Sequence, residues 1–407
     1  MYAVAVTGFG AISPIGCTKQ EILNNLSKGV SGIDNISAFN TYGYYVHLAG
    51  EVNDFNPTEY FSPRQIKNSS RCILMARASA EMAFSDSGLE KEKIDSDRFG
   101  VIFSSAIGGI ESIEKNSSLV YSGDQNRVNP FFIPSVLTDM PASHIAVDLG
   151  AKGSCLSISS ACASGCDAIG TAYRMILHGE ADIIAAGGAE AAVTPLTVAG
   201  FSAMRVLYEG EDTDKASVPF DKRRSGFVLG EGSCCLILES VSHAVARSAR
   251  IYGYICGYGS TCDAGHIVAP SSDGIYRAVE KAVAESGISA DDIGYVNAHG
   301  TSTEANDLVE SECLRRFFGE SLPPVSSVKS LTGHMLGAAG AFETGVTLLS
   351  LYEGFLPVQK WAEYDPACGI IPVSTPQATN AEYALSTSLG FGGHNSALVV
   401  KKEKKEK

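Results

Sequence analysis

Three features are scarce in this chain, and each scarcity removes a class of function. Basic residues are outnumbered: 31 Lys and Arg stand against 45 Asp and Glu, a formal charge of −14. A broad nucleic-acid surface is therefore excluded, and an acidic partner would need a local basic patch. Cysteine pairing is missing: the 11 cysteines are odd in number, irregularly spaced and form no C-x-x-C pair. That speaks against a disulfide framework or a zinc site and fits reduced thiols in a cytosol. Long apolar runs are also missing, and none reaches the ~20 residues that span a bilayer. The opening Met1-Tyr2-Ala3-Val4-Ala5-Val6 has no basic region and reads as a strand, not a signal peptide. The expectation is a cytoplasmic protein without membrane contact. The closing stretch Lys401–Lys407 reads as a solvated, frayed end.

What is present points to an enzyme of two halves. A chain of 407 residues exceeds what one hydrophobic core holds. Apolar content of 45 % and charged content of 19 % are ordinary for a globular enzyme. The 42 glycines gather in short motifs, as tight turns and close backbone approaches require. The pattern predicts a strand at 2–7, then a sharp turn at Gly8-Phe9-Gly10. That turn has no phosphate role, because the G-x-G-x-x-G spacing fails at Ser13. An amphipathic helix is expected over 67–88, strands over 99–104, 155–158, 182–186 and 233–239, and an aromatic loop over 129–136. A second series opens at 252–259 and continues with helices at 274–286, 304–318 and 335–353 and strands at 294–297, 385–388 and 397–400. The class is α/β with mostly parallel sheets, and the similar openings hint at a duplication.

The central stretch is Ser160-Ala161-Cys162-Ala163-Ser164-Gly165. Cys155–Ile158 reads as a buried strand, and from Ser164 Ala168, Ile169, Ala172, Met175 and Ile176 share one helical face. Cys162 thus falls at a strand-to-helix turn, where the helix dipole favours a thiolate and small neighbours admit a bulky substrate. The stretch alone fits a buried structural cysteine equally well. Three further polar junctions follow predicted strands or open helices: Asn297–Thr303, Ser327–His334 and Gly390–Asn395. His334 near a helix start is expected to be neutral, and the glycines around Phe391 suit an oxyanion hole. Singly, each histidine reads as an ordinary polar residue, Lys329 as a surface ion-pair partner, and Asp307 and Glu310 as solvated.

Together these stretches resemble the β-ketoacyl-acyl carrier protein synthases, closest to the synthase II type, from about Val4 to Val400. The match rests on Ser160–Gly165, on Asn297-Ala298-His299-Gly300-Thr301-Ser302-Thr303, on Val328–His334 with Leu336-Gly337-Ala338-Ala339-Gly340, and on Phe220–Gly232. The resemblance implies a thiolase fold, two similar halves (1–248 with the nucleophile, 249–407 with two histidines) in five αβαβα layers. It implies a homodimer that elongates fatty acids with acyl carrier protein, using no cofactor and no metal. Cys162 would carry the acyl group, His299 and His334 would bind the malonyl thioester oxygen, and Lys329 with Glu310 would form a supporting ion pair. Thr301 and Thr303 would hold the pantetheine arm. The backbone N–H groups of Cys162 and Phe391 would form the oxyanion hole. Ile107, Phe132, Phe201 and Phe391 would line the acyl pocket, with the Phe132 loop reaching toward the other subunit. Arg64, Lys67, Arg71 and Arg205 would dock the carrier.

Leu389, His394 and Ala106 depart from the family's common residues, which bears on chain length and not on the reaction. A degradative thiolase would carry a second cysteine near the C-terminal glycine motif, and Gly392-Gly393-His394-Asn395 has none. A non-catalytic chain-length partner would have lost the nucleophile. A polyketide or polyene ketosynthase stays open, since its chemistry is the same.

Overall fold

The computed structural model describes residues 3–404. Ten strands carry the fold: β1 (Val4–Ile12), β2 (Phe99–Ser104), β3 (Cys155–Leu156), β4 (Ile183–Glu190), β5 (Gly232–Ser240), β6 (Gly253–Cys262), β7 (Ile293–Asn297), β8 (Val325–Ser326), β9 (Tyr383–Gly390) and β10 (His394–Lys402). Their spatial order is β8-β7-β9-β10-β6-β1-β5-β4-β2-β3. Strands five apart in sequence thus hold equivalent places on either side of a seam, so the duplication hinted at by the sequence is a property of the topology. The seam itself is slight, joining Val4, Ala5 and Val6 to Ile255, Tyr254 and Gly253.

Six helices complete the layers: α1 (Arg71–Ser87), α2 (Met140–Leu149), α3 (Ser164–Leu177), α4 (Ser272–Ser286), α5 (Glu304–Phe318) and α6 (Ala339–Glu353). α3 packs against α6 and β4, while α6 reaches both β5 and β9, so the two form a central layer between the sheets. Every residue of α6 from Ala339 to Leu351 is buried, as a helix enclosed on all sides must be. α1 and α2 cover the outer face of one half, α4 and α5 that of the other. The result is the five-layered αβαβα arrangement.

Several local expectations are corrected. The sheets are mixed: pairs within β2–β3–β4 and β7–β8–β9 are parallel, and the remaining pairs are antiparallel. Gly8-Phe9-Gly10 is not a turn but the middle of β1. A Cβ at Gly10 would lie 2.1 Å from the Ser79 carbonyl oxygen, so the glycine lets α1 lie directly on the strand. The helix expected over 67–88 is broken: Pro63–Lys67 is a short helix, and α1 restarts after Ser70. Cys155–Leu156 is an exposed edge strand, not a buried one, with Leu156 48 % exposed. The aromatic loop becomes helical at Phe132–Val136, and α6 starts at Ala339, after a tight turn at Leu336–Ala338. Lys401 and Lys402 belong to β10, paired with Tyr254 and Gly253, and are not frayed. Met1, Tyr2 and Lys405–Lys407 lie outside the described residues. Among the described residues no helix is long and apolar enough to cross a membrane, and all eleven cysteines are free.

Candidate active site

Cys162 sits in the tight turn Ala161–Ala163 that feeds α3. Ala161 holds a left-handed φ of 52°, a conformation that costs an L-residue of order 1–3 kcal/mol and must be held by its surroundings. The Ser160 N–H donates to Ser164 Oγ at 2.9 Å, and that hydroxyl donates to the Ala161 carbonyl at 2.6 Å. Burial pushes the Cys162 thiol up to about 12, with the Lys329 ammonium pulling it down. Desolvation of the anion thus opposes the helix dipole and the Lys329 charge, which both favour the thiolate. The glycine loop of β9 comes up against this turn. A Cβ at Gly390 would lie 3.2 Å from the Cys162 nitrogen and 2.4 Å from the Ser160 oxygen, so only glycine leaves that N–H accessible to a ligand.

His299 follows β7 and is fixed through its backbone. Its N–H donates to Glu310 Oε1 at 2.8 Å, and the Gly300 N–H donates to Glu310 Oε2 at 2.8 Å. One helical turn earlier, Asp307 accepts the N–H groups of Thr301 and Ser302 at 3.0 and 3.2 Å. Asp307 and Glu310 are both fully buried, so neither is a solvated surface group. Lys329 is also buried, at 1 % exposure. Its ammonium donates to the His299 carbonyl at 2.6 Å, to His299 Nδ1 at 3.2 Å and to Glu343 Oε1 at 2.5 Å. The expected Lys329–Glu310 ion pair is thus corrected to Lys329–Glu343, because the acceptors of Glu310 face backbone N–H groups. An ammonium can only donate, so Nδ1 of His299 is the acceptor and its ring proton sits on Nε2.

The His334 N–H donates to the Val228 carbonyl at 2.7 Å and its carbonyl accepts the Gly230 N–H at 2.9 Å. Its ring stands edge-on to His299, centroids 5.2 Å apart, and to Phe227 at 5.4 Å. Burial holds both imidazoles well below the ordinary histidine range, reinforced by the Lys329 charge. Both are neutral.

Cys162, His299 and His334 open on one cavity, with Phe201, Leu389 and Phe391 on its wall. Thr301 and Thr303, whose hydroxyls lie 3.0 Å apart, also line it. The remaining expected residues separate. Ile107 packs in the apolar cluster that contains Cys162, Phe201 and Leu336, but does not line the cavity. Phe132 lines a different cavity of this chain, with Val120, Tyr121 and Val128, and its segment faces outward with Phe131 and Ile133 exposed. Arg71 is corrected. It is held by Glu231, at 2.7 Å, and by the Val52 carbonyl, and so is spent inside the fold. Arg64, Lys67 and Arg205 are exposed, and Arg205 precedes Val206 of the cavity wall. Glu343 escaped the sequence reading. Its signal was a lone carboxylate among the small and apolar residues of 337–350, which demands a buried cation.

Residues 1–244 match the family model described as "Beta-ketoacyl synthase, N-terminal domain" and residues 252–360 the "Beta-ketoacyl synthase, C-terminal domain". The 3-oxoacyl-[acyl-carrier-protein] synthase 2 of Staphylococcus aureus (strain COL) is 41 % identical over 405 residues, covering 98 % of either chain. A beta-ketoacyl synthase from Burkholderia phymatum STM815 superposes with a TM-score of 0.93 at 32 % identity, covering 99 % of this chain and 100 % of that one. A type II polyketide ketosynthase, solved in complex with its acyl-carrier protein and bound to a hexaketide, gives 0.91 at 32 % identity, covering 98 % and 99 %. With a thiol and two neutral imidazoles converging on one cavity between duplicated halves, the chain belongs to the beta-ketoacyl synthase family.

Proposed function

We infer that the protein catalyses decarboxylative condensation of an acyl group with malonyl-acyl carrier protein, giving 3-oxoacyl carrier in fatty-acid elongation. The observation that carries this reading is the Lys329 contact, which commits His299 Nε2–H to the cavity shared with Cys162 and His334. In the first step the Cys162 sulfur attacks the acyl thioester, the oxyanion is received by the N–H groups of Cys162 and Phe391, and the carrier thiol leaves with the proton. In the second, malonyl carrier loses carbon dioxide while Nε2–H groups of His299 and His334 bind the enolate oxygen. The enolate carbon attacks the Cys162 thioester, the C–S bond breaks, and the freed sulfur takes one proton from solvent. Such donors, fixed in place beforehand, are worth ~10²–10³ in rate each. Thr301 and Thr303 hold the pantetheine arm; Phe201 and Phe391 bound the acyl pocket. Glu310 supports the site through the His299 and Gly300 backbone.

The halves divide near residue 248. The chain works in the cytoplasm as a homodimer, in which Phe132 and its exposed neighbours serve the partner's pocket and Ile107 backs it. The 32 % likeness to a polyketide ketosynthase supports polyketide or polyene synthesis as the second reading. One experiment tests both assembly and pathway: the purified chain alone, given malonyl carrier and primers of several lengths. A dimer by sedimentation equilibrium that makes saturated-length 3-oxoacyl products is expected. An inactive monomer, or a need for a second chain, overturns the homodimer. Iterated polyketides with no single condensation product would favour the second reading.

Carrier docking follows from charge. Carriers are acidic and this chain is at −14, so encounter needs a local reversal of sign. Arg64, Lys67 and Arg205 supply it; Arg71 does not. Charge reversal at Arg64 and Lys67 together should raise apparent KM for carrier substrates roughly 5–10-fold at low salt, converging with wild type at high salt. Unchanged kinetics would dismiss this patch.

A further inference from the structure

Outside the cavity lining, one turn into α3, lies a buried carboxylate that the mechanism above does not use. Asp167 is 5 % exposed, and among the described residues three hydroxyls donate to it. Tyr258 on β6 donates to Oδ1 at 2.6 Å. Ser396 on β10 donates to the same oxygen, and Ser160 donates to Oδ2. The three donors come from three elements: the nucleophile turn and the paired strands β6 and β10. Ser160 opens the nucleophile turn and precedes the left-handed Ala161. Ser396 lies three residues beyond Gly393, where the Gly390–Gly393 loop has just returned into β10. The Ser160 carbonyl is also the atom against which Gly390 abuts.

Tyr258 is built in with care for space. Its ring lies flat on α3 at Gly170, where a Cβ would come within 2.3 Å of Cδ2. Burial and the Asp167 charge push the Tyr258 phenol up, so it remains a donor. Three hydroxyl donors converge on this one side chain, and hydroxyl bonds to a carboxylate are charge-assisted, stronger than neutral ones.

We propose that Asp167 is a positioning residue for acyl transfer: through Ser160 and Ser396 it sets the nucleophile turn against the Phe391 loop, and so aligns the two N–H groups of the oxyanion hole. The inference rests on the reading of Cys162 as the acylated nucleophile. It makes a prediction that a purely structural role does not share. Acyl transfer uses the oxyanion hole, whereas decarboxylation uses only His299, held from β7, α5 and Lys329, and His334, held by the Val228 and Gly230 backbone. Disturbing Asp167 should therefore slow one half-reaction and spare the other.

The test uses the full chain. Asp167→Asn keeps the shape but replaces one accepting oxygen by a donor, and Tyr258→Phe removes one hydroxyl with little risk to folding. Intact-mass time courses with acyl carrier should show Cys162 acylation slowed about tenfold in Asp167→Asn, less than the ~10²–10³ of losing a hole donor, and slowed several-fold in Tyr258→Phe. Carbon dioxide release from Cys162→Gln/Asp167→Asn should match Cys162→Gln within twofold. Unchanged acylation in Tyr258→Phe and Asp167→Asn, or an equal fall in acylation and decarboxylation, would overturn the proposal. If Asp167→Asn does not fold, Tyr258→Phe decides alone. Failure of the wild-type chain to be acylated at Cys162 would instead overturn the functional reading.

Discussion

Cys162→Gln makes no condensation product and carries no acyl group, yet still releases carbon dioxide from malonyl carrier. The reason is the division of labour in the cavity: the sulfur serves acyl transfer alone, and the neutral imidazoles serve the enolate. His299→Ala does the reverse. It is acylated at Cys162, while decarboxylation falls ~10²–10³-fold because a developing charge loses a donor. The sign of the pH dependence follows from the same geometry. Both histidines lie well below their ordinary range, so they stay neutral as pH falls through ~6.5, the value of a free histidine. Carbon dioxide release by Cys162→Gln should therefore show no inflection between pH 8 and 6. Intact-protein mass spectrometry and labelled carbon dioxide measure all three. Acylation of Cys162→Gln at Cys166 or another cysteine would unseat the nucleophile; an inflection near 6.5 would mean an exposed, titrating imidazole.

Lys329→Ala is expected to be the most damaging single change. Lys329 and Glu343 are each 1 % exposed, and removing one member of a buried pair costs about 3–5 kcal/mol, because the other charge stays in a dry site. Three further effects follow with fixed directions. His299 Nδ1 loses the donor that commits its proton to Nε2. The imidazoles rise back toward the ordinary range, since the lost charge was holding them down. The Cys162 thiol moves higher still, having lost its principal opposing charge. Glu343→Gln in the same chain removes the stranded carboxylate and should restore most of the stability. It should leave decarboxylation at least ~10²-fold down, because nothing donates to Nδ1. Urea denaturation and carbon dioxide release separate the two losses. Full recovery of rate in the double variant would reduce Lys329 to a counter-ion for Glu343.

The chemistry-bearing residues were legible because their junctions are local. Small residues flank Cys162, and Gly300 and Gly333 mark the turns at the two histidines. α5 was read to the residue, since Thr303 caps it, with its side chain accepting from Asn306, and Gly319 closes it. What failed was everything set by distant partners. Strand direction depends on pairing between segments far apart in sequence, so the antiparallel half of the sheet left no local mark. Gly8 and Gly10 read as a turn because the helix that needs their missing side chains lies some seventy residues away. Likewise, charge alone could not say whether Lys329 meets Glu310 or Glu343; only the folding of α5 and α6 onto opposite sides of β7 and β9 decides it.

The central layer also sets a schedule for synthesis. α3 leaves the ribosome well before α6, the helix that covers it, and the interval at ~5–20 residues per second is roughly 8–30 s. During that time Ile169, Ala172 and Ile176, all buried in the finished protein, have a sheet on one side and water on the other. The first half of the nascent chain is thus an incomplete layer, with an apolar helix face uncovered until α6 arrives.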